Sequence, residues 1–474
     1  MRLVVLSFFL SVCFSAYTHN SISSDSSLFN KLTTVNDLKT RGDTLTEGGK
    51  TVPETPQWSV KLGGYIGTDL FWDTRQVVES RDGLLLFYPE DVKQDINGRD
   101  INARPSFNFL ALNTRLTIRI QAPDALGARV SGMVEGWFAG ISNNDMNGLS
   151  MRHAFLKLDW KHTSLLMGQT WHPLFTENCF ANTVTGSAGA PFQPFSRAPQ
   201  IRLTQNLSHY RVCNTRIMFY INAQRDFLSF GSAGNSSSYL RNSAIPEMGL
   251  QYIYDRCRDM VGKTLWGIGI DYKYLIPRIV TDSNVYTRNG LHALTATAFI
   301  YFQGYLKKDI LFETKAKALY GQACNEFLLL GGYAYQYYDN QPLDPRVNYT
   351  YTSINTAAAW IDISVFKDNR EWEFGLFGGY SQNLGSNKNI QDWNNPNAYF
   401  SRGYNIKYLY RVSARAVYQA NKLQFGLEPE YTVACYGNTR NSLGEIQNPS
   451  ADYPNATKNT VANLRILFST ILYF

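Results

Sequence analysis

The sequence predicts an all-β fold: a transmembrane antiparallel β-barrel of 16 strands with inward-folded loops, with 18 strands as the alternative. Three observations predict it. The segment from Val461 to Phe474 alternates apolar and polar residues and ends on an aromatic residue. The mean hydropathy is only −0.27, yet aromatic residues make up 14% of the chain. A barrel explains this combination, because only alternate residues face lipid while aromatic girdles mark the two interfaces. A large secreted sugar-binding β protein is the soluble alternative.

The N-terminal 57 residues are interpreted as two segments that precede the barrel. Residues 1–16 read as a secretory signal peptide, with Arg2 at the start, an apolar run to Phe14 and small residues after it. That run is shorter than the ~20 residues a spanning helix needs. Residues 17–57 are polar and are assigned to a periplasmic N-terminal segment, either a disordered leader or a short helix. The barrel is assigned to residues 58–474.

Alternation with period two recurs along the rest of the chain and predicts one strand at each site. In the second segment Leu116 and Ile118 share one face while Arg115 and Arg119 share the other. An Arg facing lipid at the bilayer midplane would cost about 2–4 kcal/mol, so the arginines must face the lumen. The predicted strands are Trp58–Leu70, Leu110–Gln121, Ala128–Phe138, Arg152–Trp160, Leu165–Trp171, Ile201–Leu207, Ile217–Ala223, Met248–Tyr254, Trp266–Tyr274, Leu291–Phe302, Ile310–Tyr320, Asn355–Val365, Trp372–Tyr380, Ile406–Tyr418, Leu423–Val433 and the terminal strand.

Short and long connections alternate between these segments, as expected for periplasmic turns and outer loops. The strand-like stretch from Phe327 to Tyr337 would disturb that alternation. We therefore assign Gly321–Thr352 to one outer loop, which yields the even strand number. A barrel of this size leaves room for an aqueous channel, whereas eight strands would fill their own interior.

Several fragments resemble the DcaP-like porin family, in its Bacteroidetes-type version. They are Gly64–Asp69, Arg152–Phe155, Gly168–Trp171, Pro199–Arg202, Tyr320–Gln322, Leu330–Ala334 and Gly378–Gly385. The resemblance implies a trimeric outer-membrane channel for anionic or small organic solutes. The terminal strand is similar to the last strand of outer-membrane barrels, which implies that the barrel assembly machinery reads Phe474. The long outer loops and the N-terminal segment depart from the family pattern.

Charged residues on the inward faces form the candidate site. Two interpretations stay open: a basic wall that favours anions, or cross-strand ion pairs that only keep the lumen wet. The predicted basic lining residues are Lys61, Arg115, Arg119, Arg129, Arg411, Arg415 and Arg465, and the acidic ones are Glu135, Glu313, Glu428 and Glu430.

The loop from Pro173 to Pro199 is the candidate constriction. Trp171 and His172 stand at its entrance, and Glu177 and Arg197 are its charges. An exposed surface loop is the alternative. Leu328–Leu330 in a later loop would also be costly in water, which favours an inward position there too.

Other function classes find little support. The sequence has no G-x-S-x-G elbow and no H-E-x-x-H spacing, so we expect no enzyme, no metal site and no cofactor. Five scattered cysteines follow the signal, with Cys179–Cys324 as one optional disulfide. The charge of +7 is not clustered and does not indicate nucleic acid.

The predicted function is therefore a porin in the bacterial outer membrane, through which small polar, anionic solutes diffuse passively. Its expected partners are outer-membrane lipid, those solutes, the barrel assembly machinery and two further copies of the chain in a homotrimer. The alternative is a structural or adhesive barrel whose outer loops bind surfaces.

Overall fold

A closed β-barrel makes up the described part of the chain. The computed structural model describes residues 58–140, 143–184, 186–210, 213–258, 262–447 and 460–474, so the predicted signal peptide and N-terminal segment lie outside it. The barrel strands are β1 (Ser59–Asp73), β2 (Arg115–Ala125), β3 (Ala128–Trp137), β4 (Ser150–Asp159), β5 (Thr163–Trp171), β6 (Arg197–Tyr210), β7 (Cys213–Asn222), β8 (Glu247–Arg258), β9 (Gly262–Leu275), β10 (Leu291–Lys307), β11 (Ile310–Gln322), β12 (Tyr351–Lys367), β13 (Trp372–Ser386), β14 (Ile406–Ala420), β15 (Leu423–Tyr436) and β16 (Thr460–Tyr473).

The first and last strands close the barrel. β1 pairs antiparallel with β16 from Tyr65 opposite Tyr473 to Asp73 opposite Arg465. The inner half of β1 pairs with β2, and every other strand pairs with its chain neighbour. Closure leaves no strand edge to face lipid, which a membrane-spanning sheet requires. The predicted sixteen-stranded barrel is confirmed, and the eighteen-stranded alternative is wrong.

One strand starts later than its pattern predicts. β2 begins at Arg115 and not at Leu110, because residues Ser106–Leu110 form a separate strand that pairs with the outer half of β1. Leu110 and Leu112 are consequently buried in a cluster with Trp137 and do not face lipid. Apolar residues continue with period two across the interruption, so the sequence pattern does not reveal the break.

Short turns and long loops alternate around the barrel. The strand bounds leave seven connections of two to four residues, and the described parts of the eight longer loops lie at the opposite, outer end. The loops are loop 1 (74–114), loop 2 (138–149), loop 3 (172–196), loop 4 (223–246), loop 5 (276–290), loop 6 (323–350), loop 7 (387–405) and loop 8 (437–459).

Helix is scarce in the residues that the structure describes. Loop 4 contains the four-residue helix α1 (Ser238–Arg241), and five 3-10 turns lie in the other loops. These turns are Ile101–Ala103, Asn143–Asp145, Pro173–Phe175, Asn325–Phe327 and Pro396–Ala398. No helix in the described ranges is long and apolar enough to cross a bilayer.

A belt of exposed apolar side chains surrounds the barrel. On β16 Ile466 and Phe468 are exposed, whereas Arg465 and Ser469 are buried inside. The same alternation exposes Leu116, Ile118, Leu203, Phe219, Leu250, Ile268, Leu294, Ile361, Leu376, Val412 and Leu427. An apolar surface this extensive is unfavourable in water and is what acyl chains require.

Three loops fold into the barrel. A hairpin of loop 1 (Val77–Ser80 with Leu85–Pro89) is buried together with the aromatic residues of loop 3. Loop 6 contributes Phe327–Leu330, whose four side chains are at most 1% exposed. Its short strand Gly331–Tyr335 pairs with β12 and with loop 7, outside the barrel sheet. The inward-folded loops of the predicted fold are therefore confirmed.

Candidate functional site

Loop 3 enters the barrel directly after β5. Trp171, the last residue of that strand, stacks on Phe175 with ring centroids 3.9 Å apart. The 3-10 turn Pro173–Phe175 starts the loop, and Nδ1 of His172 accepts a hydrogen bond from the Leu174 N–H at 3.2 Å. The apolar side chains of the turn bury against the barrel wall, and this burial draws the loop inward.

Hydrogen bonds then attach loop 3 to the opposite wall. The Val184 N–H donates to Oε2 of Glu428 on β15 at 2.6 Å. The Asn182 amide donates to Oε1 of Glu313 on β11 at 2.9 Å. The loop therefore crosses the lumen, with anchors on strands far from the one it leaves.

Loop 1 and loop 3 cover basic residues on β14 and β16, near the seam where β16 closes the barrel against β1. Arg411 donates to the carbonyl oxygens of Leu86 in loop 1 and Ala190 in loop 3, at 2.8 and 3.1 Å. Arg465 donates to the Gly83 carbonyl of loop 1 at 2.6 Å. Arg415 binds Asp362 through both carboxylate oxygens, at 2.7 and 2.9 Å.

The sequence interpretation of Arg411, Arg415 and Arg465 as pore-lining residues needs correction. They point inward, but each is at most 4% exposed, because loops and acidic partners cover them. The predicted acidic lining residues Glu313, Glu428 and Glu430 are at most 2% exposed, so they do not line the pore either. Glu313 pairs with Lys315 at 2.7 Å, and Glu430 lies 4.0 Å from Arg411.

Of the remaining predicted basic residues, Arg115 is only 6% exposed and lies beside Trp137, so it does not line the pore as predicted, while the other three lie toward the inner mouth. Lys61 stands opposite Arg119 in the register of β1 and β2, and Arg129 stands opposite Asp159 in that of β3 and β4. Lys61 and Arg129 are exposed and Arg119 is half-buried. They lie on one side of the inner opening of the barrel, on three neighbouring strands.

Next to loop 3 lies a small pocket that is partly open to solvent. Arg202, Arg216 and the exposed Glu177 line it, together with Trp171 and His172. Arg216 has an acidic neighbour, Asp255, at 4.0 Å. The pocket places two guanidiniums and one carboxylate beside the start of the loop.

Four arginines gather around Trp137 near the outer end of β3, and we call them the Trp137 arginine cluster. Their guanidinium carbons lie between 4.4 and 5.8 Å from the indole ring, close enough for cation–π contact. Trp137 itself is 2% exposed. The cluster consists of Arg81, Arg115, Arg152 and Arg197.

Two carboxylates face this cluster among the described residues. Glu135 accepts from Arg152 at 2.8 Å and lies 3.9 Å from Arg115. Asp226 in loop 4 accepts from Arg197 at 2.7 Å and from Arg81 at 3.0 Å. Burial alone would raise the pKa of Asp226, but the two guanidiniums lower it below its ordinary value. Burial also lowers the pKa of Arg81 to about 10, which Asp226 opposes.

Sequence reasoning missed most of this cluster. It placed Arg115 and Glu135 on inward faces and Arg197 in the constriction loop, but assigned no role to Arg81, Arg152 or Asp226. The period of β4 gave no signal for Arg152, because alternation places Arg152 on the outward face with Leu156, and an irregularity in the pairing of β3 with β4 turns it inward. No local pattern links Arg81 in loop 1 to Asp226 in loop 4, because only the inward fold of both loops brings them together.

His172, Glu247 and Asp271 also converge, although their spacing in the sequence indicates no metal site. Nε2 of His172 lies 3.3 Å from Oε1 of Glu247 and 3.7 Å from Oδ2 of Asp271. All three residues are buried. They come from loop 3, β8 and β9.

Two further expectations concern single residues. Cys179 and Cys324 are free thiols, so the optional disulfide between them is wrong. Cys179 Sγ lies 3.4 Å from the Ile300 carbonyl oxygen instead. Phe474 is exposed and its N–H donates to the Gly64 carbonyl at 3.2 Å, while its reading by the assembly machinery stays a prediction.

Comparison with known proteins supports the fold. No family model matches the chain, and no curated protein sequence matches it. The outer membrane channel DcaP of Acinetobacter baumannii has a TM-score of 0.58 at 13% identity, over 88% of this chain and 97% of that one. The anion-selective porin from Comamonas acidovorans has 0.47 at 10% identity, over 88% and 100%. OmpT of Vibrio cholerae, in its trimer form, has 0.46 at 11% identity, over 88% and 99%.

At such identities the likeness concerns the fold alone, and the first structure carries it. The closed barrel and its lipid-facing belt define a bacterial outer-membrane β-barrel protein. The bacterial outer membrane is accordingly its location. Its structural neighbours are outer-membrane channels and porins.

Proposed function

We propose that this protein is a porin through which small polar solutes diffuse passively, with a preference for anions. One observation carries the proposal: the Trp137 arginine cluster places four guanidiniums against two described carboxylates inside the barrel. Fixed charge in a low-dielectric wall attracts ions of opposite sign, and charged clusters of this kind select ions in pores.

The inner mouth adds to the same field. Lys61, Arg119 and Arg129 lie along one side of it, and Arg202 and Arg216 line the pocket beside loop 3. An anion entering from the periplasmic side would meet these cations before it reached the loops. Arg411, Arg415 and Arg465 add less net charge, because each has its own carboxylate neighbour, whereas the four equally buried arginines around Trp137 share two described carboxylates.

Loop 3 sets the expected conductance. Loop 3 and the loop 1 hairpin bury the side chains in the middle of the barrel. The predicted constriction residues lie at or near the ends of loop 3, and they are Trp171, His172, Glu177 and Arg197. These loops narrow the path that a solute must take. We expect small conductance steps and discrimination by size.

Reversal potential in a potassium chloride gradient across a planar bilayer tests the proposal. We expect anion selectivity for the wild-type protein. The variants Arg152→Gln and Arg197→Gln should lower the chloride-to-potassium permeability ratio severalfold. Arg346→Gln is the matched control, because its side chain is 72% exposed in loop 6. Cation selectivity of the wild type would overturn the anion preference.

One observation favours the alternative, a structural or adhesive barrel: the loops pack tightly inside. If the protein inserts into bilayers yet shows no conductance steps at any applied voltage, the porin proposal fails and the result favours a structural or adhesive barrel. Binding of the protein to host or bacterial surfaces, lost on loop deletion, would then be the measurement to make.

The finer assignments are also part of the proposal. The sequence fragments that resemble the Bacteroidetes-type DcaP-like family support three such assignments: membership in that family, assembly as a homotrimer, and a role that is not enzymatic. Light scattering of the detergent-solubilised protein, with the detergent mass subtracted, tests the trimer. A mass equal to one chain would contradict it.

A further inference from the structure

We propose that His172, Glu247 and Asp271 form a binding site for one zinc-type divalent cation that fixes the start of loop 3 to the barrel wall. The three ligand atoms, one imidazole nitrogen and two carboxylate oxygens, lie within 4.8 Å of one another. Zinc accepts nitrogen and carboxylate oxygen at about 2.0–2.2 Å, and three protein ligands leave a fourth position for water.

Unsatisfied atoms point into this space. Nε2 of His172, Oε1 of Glu247 and Oδ2 of Asp271 are buried, and none makes a well-oriented hydrogen bond to a described residue, although Nε2 lies 3.3 Å from Oε1 of Glu247. The three side chains are 1–2% exposed. Buried polar atoms are rarely left without a partner, so three that face one another need an explanation.

The local charge supplies a second argument. Lys273, on the same face of β9 as Asp271, pairs with Glu326 of loop 6. In the described part of the chain, Glu247 and Asp271 form no ion pair with Lys or Arg. Two buried carboxylates without a cation are unfavourable, and one divalent cation would balance them.

The site is accessible, and metal binding requires a change of tautomer at His172. His172 lines the pocket beside loop 3, which gives a route to the site. Nδ1 of His172 now accepts from the Leu174 N–H, so the neutral ring carries its proton on Nε2. Metal binding at Nε2 would move that proton to Nδ1, where it would face the Leu174 N–H, so the turn Pro173–Phe175 must shift to separate the two donors.

The position of the ligands assigns the cation a structural role. His172 is the first residue of loop 3, Glu247 is the first residue of β8, and Asp271 lies near the outer end of β9. A bound cation would therefore join the start of the constricting loop to two wall strands. Loop 6 would be held nearby through Glu326 and Lys273.

The experiment measures metal binding directly and needs no channel activity. The detergent-solubilised barrel is stripped with a chelator and titrated with zinc chloride by calorimetry, and with cobalt(II) by visible absorption. We expect one equivalent bound, a d–d spectrum of a low-coordinate cobalt site, and a higher unfolding temperature with zinc. His172→Gln and Asp271→Asn should each weaken binding by at least roughly tenfold, since even outer-shell changes can have that effect.

Control variants and folding checks keep the result interpretable. His292→Gln and Asp344→Asn alter the same residue types away from the cluster and should bind zinc like the wild type. Slower migration of heated samples in gels verifies that each variant is folded. No zinc binding by the wild type up to millimolar concentration would overturn the proposal, as would equal affinity in the two ligand variants. Neither result bears on the porin proposal, which rests on current measurements.

Discussion

Replacing Arg465 by methionine should destabilise the barrel at its closing seam. Arg465 on β16 stands opposite Asp73 on β1 and binds its carboxylate through two nitrogens, at 3.0 and 2.7 Å. Both side chains are at most 2% exposed. The guanidinium also lies 4.1 Å from the centre of the Phe71 ring. Methionine retains the apolar packing on that ring but leaves the carboxylate without its cation.

The magnitude follows from this burial. Removing one partner of a buried ion pair costs about 3–5 kcal/mol, mostly because the other charge remains buried and unpaired. Asp73 keeps only the Asn463 amide, which donates at 2.6 Å. The double variant Asp73→Asn with Arg465→Met removes both charges, so it should recover at least about 2 kcal/mol of that loss.

The assay is equilibrium unfolding in guanidinium, followed by tryptophan fluorescence in detergent micelles. Wild type, both single variants and the double variant complete a double-mutant cycle. The reasoning is refuted if Arg465→Met loses less than about 1 kcal/mol, or if the double variant is as unstable as the single one. Arg346→Met in the exposed part of loop 6 serves as the control, and its stability should not change measurably.

Two further predictions concern the loops. A Cβ added at Gly379 would lie 2.5 Å from the Phe192 ring of loop 3, so Gly379→Ala should lower the free energy of unfolding by about 1–3 kcal/mol in the same assay. The neighbouring Gly378→Ala is the control, because its Cβ has room and the free energy should change little. Equal effects of the two variants would contradict the packing of loop 3 on β13. Because its pKa is lowered in the folded state, Asp226 stabilises the fold fully above about pH 4 and less as the pH falls through its folded value. Unfolding temperatures between pH 5 and 2 should therefore fall less steeply for Asp226→Asn than for wild type, and parallel curves would exclude this role.

The strands were predictable because a membrane barrel imposes one rule on every strand. Lipid on one side and a polar interior on the other require alternation, and each segment from Trp58 onward follows it. The start of β2 was misplaced for the same reason. Leu110 and Leu112 continue the alternation but are buried within loop 1. An alternating pattern shows that a side chain has apolar surroundings, but it does not show whether these are lipid or a folded loop.

The candidate site was less predictable, because a side chain's direction does not reveal what covers it. Arg465 was placed correctly on the inward face, yet its carboxylate partner and the Gly83 carbonyl come from the other end of the chain. His172 was assigned to the entrance of the constriction, but its two acidic neighbours lie on strands that follow much later in the sequence.

Local periodicity by itself determined the class of fold and most of the inward faces of this protein, because the solvent on each side of a strand acts on every residue in turn, and the alternation of short and long connections then favoured sixteen strands over eighteen. Only the tertiary structure decided which arginines are neutralised, which gather around Trp137, and which carboxylates remain without a cation. Those outcomes depend on how three loops fold into the lumen, and contacts between residues far apart in the chain leave no period in its sequence.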